Sequence, residues 1–331
     1  MKKILLIRFS SIGDIVLTTP VVRALKSQLK CELHVLTKKQ YAGIYRNNPF
    51  VDKVHFFEKE LSEVLSELKT RQFDFVVDLQ KNLRSLKIKR TLKRPSASFP
   101  KLNTQKWLLV NLKINKLPDV HIVDRYFEAV KTLGIVNDNK GLDFFIPDEA
   151  HIKPIEIDQR FGKTYIAFAI GGQHFTKMMP AEKVASIISK LDYPVVLLGG
   201  KEDVAKGEEI KEASENKVVL NAAGKLSLDQ SASMIRQAAV VLTNDTGLMH
   251  IAAAFNKPIV SLWGNTVPQF GMYPYLPDAK SRSFIAEVSG LKCRPCGKLG
   301  FKKCPKGHFK CMLEQDEELI VQKTIGFLKS R

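Results

Sequence analysis

Val240-Val-Leu-Thr-Asn-Asp-Thr-Gly-Leu-Met-His-Ile-Ala-Ala-Ala254, with a second apolar run at Ile259, is the stretch on which the fold turns. An apolar run of strand length stops at a cluster of turn formers, and a helical stretch of small residues begins at once. A strand, a helix and a further strand in that order make one unit of a parallel sheet. Open parallel sheets take ligands at the carboxyl ends of their strands, which is where Asn244-Asp-Thr-Gly247 falls. Amide groups at the helix start suit a pyrophosphate, and His250 lies one turn past Thr246, so both can face one ligand. The plainer alternative is that Asn244 and Asp245 only cap the helix and His250 only packs. The conjunction of Asn-Asp-Thr-Gly, His and three alanines favours a site holding Asp245, Thr246, Gly247 and His250.

The same alternation of apolar runs and helical stretches extends outward in both directions and occurs twice. In the first half, 4–7, 32–36, 53–56 and 75–78 read as strands, with helices over 14–28, 41–47, 62–70 and 123–133. In the second half, 165–169, 195–198, 217–220, 240–243 and 259–263 read as strands, with helices over 181–191, 204–215, 227–238 and 247–255. Residues 147–163, with two prolines, mixed charge and a glycine, read as the linker. The expectation is α/β with two Rossmann-like domains of parallel sheet, residues 1–155 and 156–331. The last helix, 314–329, is amphipathic; in such two-domain designs a terminal helix often returns to the first domain, which sequence alone does not show.

Three further motifs leave strands. Ile4-Leu-Leu-Ile-Arg-Phe-Ser-Ser-Ile-Gly-Asp14 ends a buried strand at Arg8 and opens a helix at Asp14. Asp14 reads either as a cap or first-turn acid favoured by the helix dipole, or as a carboxylate that takes a proton from an acceptor hydroxyl. Ser10, Ser11 and Gly13 let the backbone approach a ligand closely. Ala169-Ile-Gly-Gly-Gln-His-Phe-Thr-Lys177 is a glycine-paired loop from which Lys177 would project as a point charge for phosphate. Leu197-Leu-Gly-Gly-Lys-Glu-Asp203 repeats that geometry, with Glu202 read as an acceptor for ribose hydroxyls or as a plain charged turn.

The 331 residues carry 52 Lys and Arg against 34 Asp and Glu, a formal net charge of +18. The excess is concentrated. From Lys81 to Lys116 and from Val288 to Leu313 there are many cations and no acid, so an anionic partner is expected. Only Phe99 and Trp107 interrupt the first stretch, too few aromatics for base stacking, so no nucleic acid is expected. No apolar run approaches the roughly 20 residues of a membrane span. The start, with Arg8 breaking a short apolar run, reads as a buried strand in a cytoplasmic protein, not a leader. Cys31 reads as a small buried hydrophobe. Cys293, Cys296, Cys304 and Cys311 read as four soft ligands for a structural zinc or as a plain loop stiffened by Pro295 and Pro305.

In combination these motifs resemble the lipopolysaccharide heptosyltransferases, glycosyltransferase family 9. The resemblance covers nearly the whole chain in order: Ser11, Gly13 and Asp14; Asp78-Leu-Gln with Arg84-Ser85; the Gly-Gly…Lys177 loop; Gly199-Gly-Lys-Glu-Asp203; and Asn244-Asp-Thr-Gly-x-x-His250. One departure is Met178-Met179, where the family often carries an aromatic before the proline. The resemblance implies a GT-B fold with its two sheets facing across a cleft, and an inverting, metal-independent transfer from a nucleotide sugar. ADP-heptose would be the donor, and the acceptor an anionic lipid A-linked inner core met at the inner face of the inner membrane. Asp14 would be the general base, and Ser11, Gly13, Lys81 and Arg84 would bind the acceptor. Lys177, Glu202, Asp245, Thr246, Gly247 and His250 would hold the donor, with no cofactor required. A different nucleotide sugar or acceptor on the same fold is the alternative.

Overall fold

A computed structural model of the chain describes residues 1–214 and 218–330. The expected helix end at Glu215 and strand start at Lys217, like the terminal Arg331, lie outside the described residues. The chain forms two compact units, one from Met1–Leu102 and Val120–Phe145, the other from Asn103–Asp119 and Ile146 onward.

In the first unit, β1 (Lys2–Ile7), β2 (Cys31–Lys38), β3 (Lys53–Phe57), β4 (Phe75–Asp78) and β5 (Ser96–Ser98) form one sheet. Their order is β3-β2-β1-β4-β5 and every pairing is parallel. Ile4, Leu5, Leu6 and Ile7 of the central strand are fully buried, as a strand covered on both faces requires. The helix expected over 14–28 is two helices, α1 (Ile12–Val16) and α2 (Thr19–Gln28). Pro20 lacks an N–H and therefore suits the first turn of a helix, not its interior. The Thr18 and Thr19 hydroxyls donate to the Ile15 and Val16 carbonyls across the break. Helix α3 (Leu83–Leu92) follows β4 and is capped by Asn82, and α4 (Ile122–Phe127) is shorter than the 123–133 read from periodicity. The short, polar β5 gives almost no strand signal in the sequence.

The second unit contains β6 (Ile166–Ala169), β7 (Val195–Leu198), β8 (Val219–Asn221), β9 (Val240–Asn244), β10 (Ile259–Trp263) and β11 (Ser283–Glu287). Their order is β11-β10-β9-β6-β7-β8, again all parallel. Its helices include α5 (Ala181–Ser189), α6 (Val204–Ala213), α7 (Leu228–Gln237), α8 (Gly247–Ala254) and α9 (Glu317–Lys329). Residues 103–119 belong here: Leu109 packs with Val267 and Phe270, and Lys113 Nζ donates to the Pro295 carbonyl at 2.7 Å. The stretch read as a linker also belongs here, its Ile152 N–H bound to Ser233 Oγ.

The last helix, whose position the sequence leaves open, packs on the second unit. Ile320, Val321 and Leu328 of α9 join the second unit's own core. Glu317 takes Lys183, Ser186 and Lys190 from around α5, which holds its pKa down to about 2 despite the opposing effect of burial. No helix among the described residues is long and apolar enough to cross a membrane.

Each sheet has one place where the chain reverses its direction of travel, between β1 and β4 in the first and between β6 and β9 in the second. Connections leaving such a pair diverge and open a crevice at the carboxyl ends.

Candidate active site

At the first switch point, Arg8 follows β1 and its side chain spans the crevice. Its guanidinium donates to the Ser10 carbonyl at 2.9 Å, the Leu79 carbonyl at 2.6 Å and the Tyr126 hydroxyl at 3.1 Å. The remaining nitrogen meets Asp14 Oδ1 at 2.5 Å. Arg8 thus ties the ends of β1 and β4 to α4 and fixes one carboxylate oxygen of Asp14. The other, Oδ2, accepts from the Ser11 N–H at 3.2 Å and the Ser11 hydroxyl at 3.1 Å. Ser11 is the N-cap of α1 and Asp14 its third residue, so the pair forms a capping box.

The cap reading of Asp14 is therefore correct as far as it goes, but it leaves Arg8 unexplained. A cap does not need a buried arginine. Burial alone would raise the Asp14 pKa; the Arg8 charge and the Ser11 bonds outweigh it and lower the pKa, keeping the group ionised at neutral pH. Burial pushes the Tyr126 hydroxyl up to about 12, so it stays a neutral partner for Arg8.

Of the expected acceptor residues, Ser11 sits in this bond set and Gly13 is buried in α1. Lys81 follows β4 and donates through Nζ to the Phe99 carbonyl at 2.9 Å. Arg84 is exposed on α3. Asp78 is a support: it accepts from the Lys81 N–H and the Ser85 hydroxyl and pairs with Lys89 at 3.0 Å. Lys101, half-buried, was not singled out by its sequence context. Burial lowers its pKa, and the charges of Arg8 and Lys81 lower it further against the opposing pull of Asp78 and Asp14. The crevice thus gathers cations near Asp14, which keeps some solvent exposure, and Asp78, which is buried.

At the second switch point, the β6 loop meets the end of β9. Asn244 is fully buried and does not cap α8. Its Nδ2 donates to the Ile170 and Gly171 carbonyls at 3.0 and 3.3 Å, and its Oδ1 accepts from the Met179 N–H at 3.2 Å. Lys177 does not project freely. Its Nζ meets Asp245 Oδ2 at 2.5 Å, an oxygen that also accepts from the Thr266 hydroxyl at 2.9 Å. Thr246 is the true N-cap position of α8 but makes no side-chain cap bond. Its hydroxyl is buried with no hydrogen-bond partner among the described residues. Buried donors are rarely left unpaired without a reason, and this one lies beside the Gly247 helix start. His250 is buried one turn into α8. Glu202 is exposed on the turn after β7. That turn seats closely against the β6 loop: a Cβ at Gly171 would lie 2.2 Å from Asp203 Oδ2.

The cysteine loop belongs to the second unit. Arg294 anchors it through the Gly264 and Thr266 carbonyls and Glu287. All four cysteines are free thiols. Burial raises Cys296 and Cys311 to about 11, with further upward pushes from their cysteine neighbours. Among the described residues no group of three or more His, Cys, Asp or Glu is arranged to hold a metal ion.

The model of one family, described as glycosyltransferase family 9 (heptosyltransferase), matches residues 62–297. Lipooligosaccharide heptosyltransferase 2 of Haemophilus influenzae is 26% identical, covering 97% of each chain. Lipopolysaccharide heptosyltransferase 1 of Campylobacter coli is 25% identical over 80% of this chain and 84% of its own. Among solved structures, a family 9 glycosyl transferase from Veillonella parvula superposes with a TM-score of 0.79 at 23% identity, covering 100% of this chain and 98% of its own. The Escherichia coli ADP-heptose lipopolysaccharide heptosyltransferase II superposes at 0.73 with 21% identity, covering 100% and 99%. The fold is accordingly GT-B, with two Rossmann-like units.

The Arg8 bond set yields a stability prediction. Arg8→Met strands the Asp14 carboxylate and the Leu79 carbonyl, and the loss of one partner from a largely buried pair costs about 3 kcal/mol. Arg8→Lys, which keeps the charge but loses the fork, should cost less. Urea unfolding measures both; a Met variant within 0.5 kcal/mol of the parent would show that Arg8 organises nothing.

Proposed function

The chain belongs to glycosyltransferase family 9 (heptosyltransferase), and from that premise we propose that it transfers a heptose from ADP-heptose to an anionic, lipid A-linked inner-core acceptor of lipopolysaccharide. The observation that carries this reading is the buried, partnerless Thr246 hydroxyl at the start of α8, beside the Lys177–Asp245 pair. A helix start, an orphan hydroxyl and a lysine together suit a diphosphate.

Lys177, Thr246 and the Gly247 amide would bind the donor diphosphate, and Asp245 and His250 would border the sugar. Glu202 would accept from the nucleoside hydroxyls. Asp14 would take the proton as the acceptor oxygen bonds to the anomeric carbon. The bond from that carbon to the diphosphate breaks with its electron pair going to ADP, and the sugar configuration inverts. A carboxylate of low pKa serves as base here because the hydroxyl becomes acidic only as its oxygen bonds to carbon. Charge appearing on the departing ADP would be met by Lys177 and the helix amides, which are already oriented. Ser11, Gly13, Lys81 and Arg84 would receive the acceptor, and Lys101, near Arg8 and Asp78, would join them.

A cytoplasmic, peripheral membrane location follows from that acceptor, and α3 offers a surface for it. Ser85, Ile88 and Lys89 face inward, Lys89 onto Asp78. Leu83 is 84% exposed and, with Leu86, Lys87, Arg90 and Thr91, lines a shallow depression of about 420 Å³. An exposed leucine among cations fits the head-group boundary of an anionic bilayer better than it fits a free glycan or a nucleic acid. Lys87→Gln with Arg90→Gln should weaken partition onto phosphatidylglycerol-containing vesicles roughly thirtyfold, at about 1 kcal/mol per cation. Equal sedimentation of parent and variant would leave α3 a solvated face.

A structural zinc at Cys293, Cys296, Cys304 and Cys311 is a separate proposal. About one metal per purified chain, and loss of stability on chelation, would support it; metal-free stable protein would remove it.

The function itself is tested by ligand and base together. ADP at 100 times its Kd should stabilise the chain by about 2.7 kcal/mol, and more than UDP or GDP at equal concentration. Asp14→Asn keeps the size and one acceptor oxygen but gives up the charge that pairs with Arg8, and should lower transfer by about 10² to 10⁴, with the ADP shift unchanged. A preference for UDP or GDP would overturn the donor, and near-normal turnover by Asp14→Asn would overturn the base.

A further inference from the structure

The β6 loop, residues 170–179, is fastened at both ends by a side chain that the reading above does not use. Lys206 of α6 extends Nζ to the Met179 carbonyl at 2.7 Å and the Ile170 carbonyl at 3.3 Å. Asn244 grips the same ends from β9, through the Ile170 and Gly171 carbonyls and the Met179 N–H. Three loop carbonyls are therefore turned onto Lys206 and Asn244. Turning carbonyls away from a site strips it of negative dipoles that would repel an anion. The fastened loop also sets where Lys177 stands, two residues before Met179.

Lys206 is half-buried, and among the described residues no carboxylate reaches ion-pair distance of its Nζ. Taking a lysine out of water is costly when its nearest carboxylates stand beyond ion-pair distance, and two backbone carbonyls could be satisfied by a neutral donor. The cation itself calls for an explanation. Its position directly behind a loop read as diphosphate-binding supplies one.

We propose that Lys206 is a positioning residue for the donor diphosphate, acting through the 170–179 loop and adding its positive charge from behind. This rests on the donor reading of Lys177 and Thr246. The charged groups facing Lys206 are Asp203 from the turn after β7, Glu209 on its own helix and Glu182 from α5. Burial is the largest influence and lowers the pKa to about 8, with the three carboxylates opposing it. The sign follows: the charge is present below about pH 8 and lost above it, so diphosphate affinity should fall as pH rises through that value.

The test is ADP affinity by calorimetry from pH 7.0 to 9.5, together with steady-state kinetics. The parent should lose about tenfold in ADP affinity over one proton step near pH 8. Lys206→Arg, whose charge does not titrate in that range, should bind ADP as the parent does at pH 7 and keep that affinity to pH 9.5. Lys206→Met should show about tenfold weaker binding at pH 7 and no step, with donor KM raised and acceptor KM unchanged. A parent profile flat through pH 8, or an arginine variant that retains the step, overturns the proposal even if the methionine variant fails to fold. So does a methionine variant of lower Tm but parental ADP affinity, since Lys206 would then be only structural. If no nucleotide binds the parent at all, it is the donor reading that fails.

Discussion

A parallel sheet built outward from a central pair has one seam where the connections on either side run in opposite directions, and the loops leaving that seam cannot cover each other. Both units obey this constraint, at β1/β4 and β6/β9. Asp14 and Arg8 stand at the first of these seams and Lys177, Asp245 and Thr246 at the second, while Glu202, after β7, stands one strand away. The seam also explains why the supports are long-range. Arg8 and Leu79 are far apart in sequence but adjacent across the seam, as are Asn244 and Ile170. A crevice left open by topology needs cross-ties to keep its shape, and these are the cross-ties.

Keeping charged groups in such a crevice costs desolvation, and the two units meet that cost differently. In the first, Arg8 and Asp14 neutralise each other and each is further saturated by backbone or hydroxyl groups. The carboxylate is held in one orientation, as the proposed role of a positioned base would require. In the second, Lys177 is balanced by Asp245, but Thr246 is left unsatisfied. The two patterns differ as a finished bond set differs from one that lacks an oxygen.

Much of this is legible in sequence because it is local. The apolar run from Ile4 to Ile7, the turn formers at Asn244–Gly247 and the glycine pair at Gly171-Gly172 mark strands and their carboxyl ends without reference to the rest of the chain. What is not legible depends on distant partners. Arg8 reads only as the residue that stops an apolar run; its four bonds are to Ser10, Asp14, Leu79 and Tyr126. Asn244 reads as a cap because it precedes a helix, yet its amide is consumed by the neighbouring loop, and Thr246 takes the cap position. The break between α1 and α2 was readable from Pro20, but helical periodicity runs through it. Residues 103–119 carry no composition shift that assigns them to the second unit; Leu109 against Val267 and Phe270 does so.

The Lys177–Asp245 pair is at first sight an odd choice for a phosphate site, since Asp245 places a negative charge where an anion is to be received. The alternative is worse. A lysine left unpaired in a partly buried loop would swing to solvent and would have to be reordered as the ligand arrives. Held by Asp245, it keeps its place. A diphosphate carries more negative charge than one carboxylate and offers several oxygens, so it can share or draw Lys177 away while the Thr266 hydroxyl continues to satisfy Asp245. On the proposed donor reading, the aspartate would thereby be freed toward the sugar as the phosphates bind. Pairing before binding and exchange on binding keep the reorganisation small, which is the condition under which fixed charges stabilise a leaving group best.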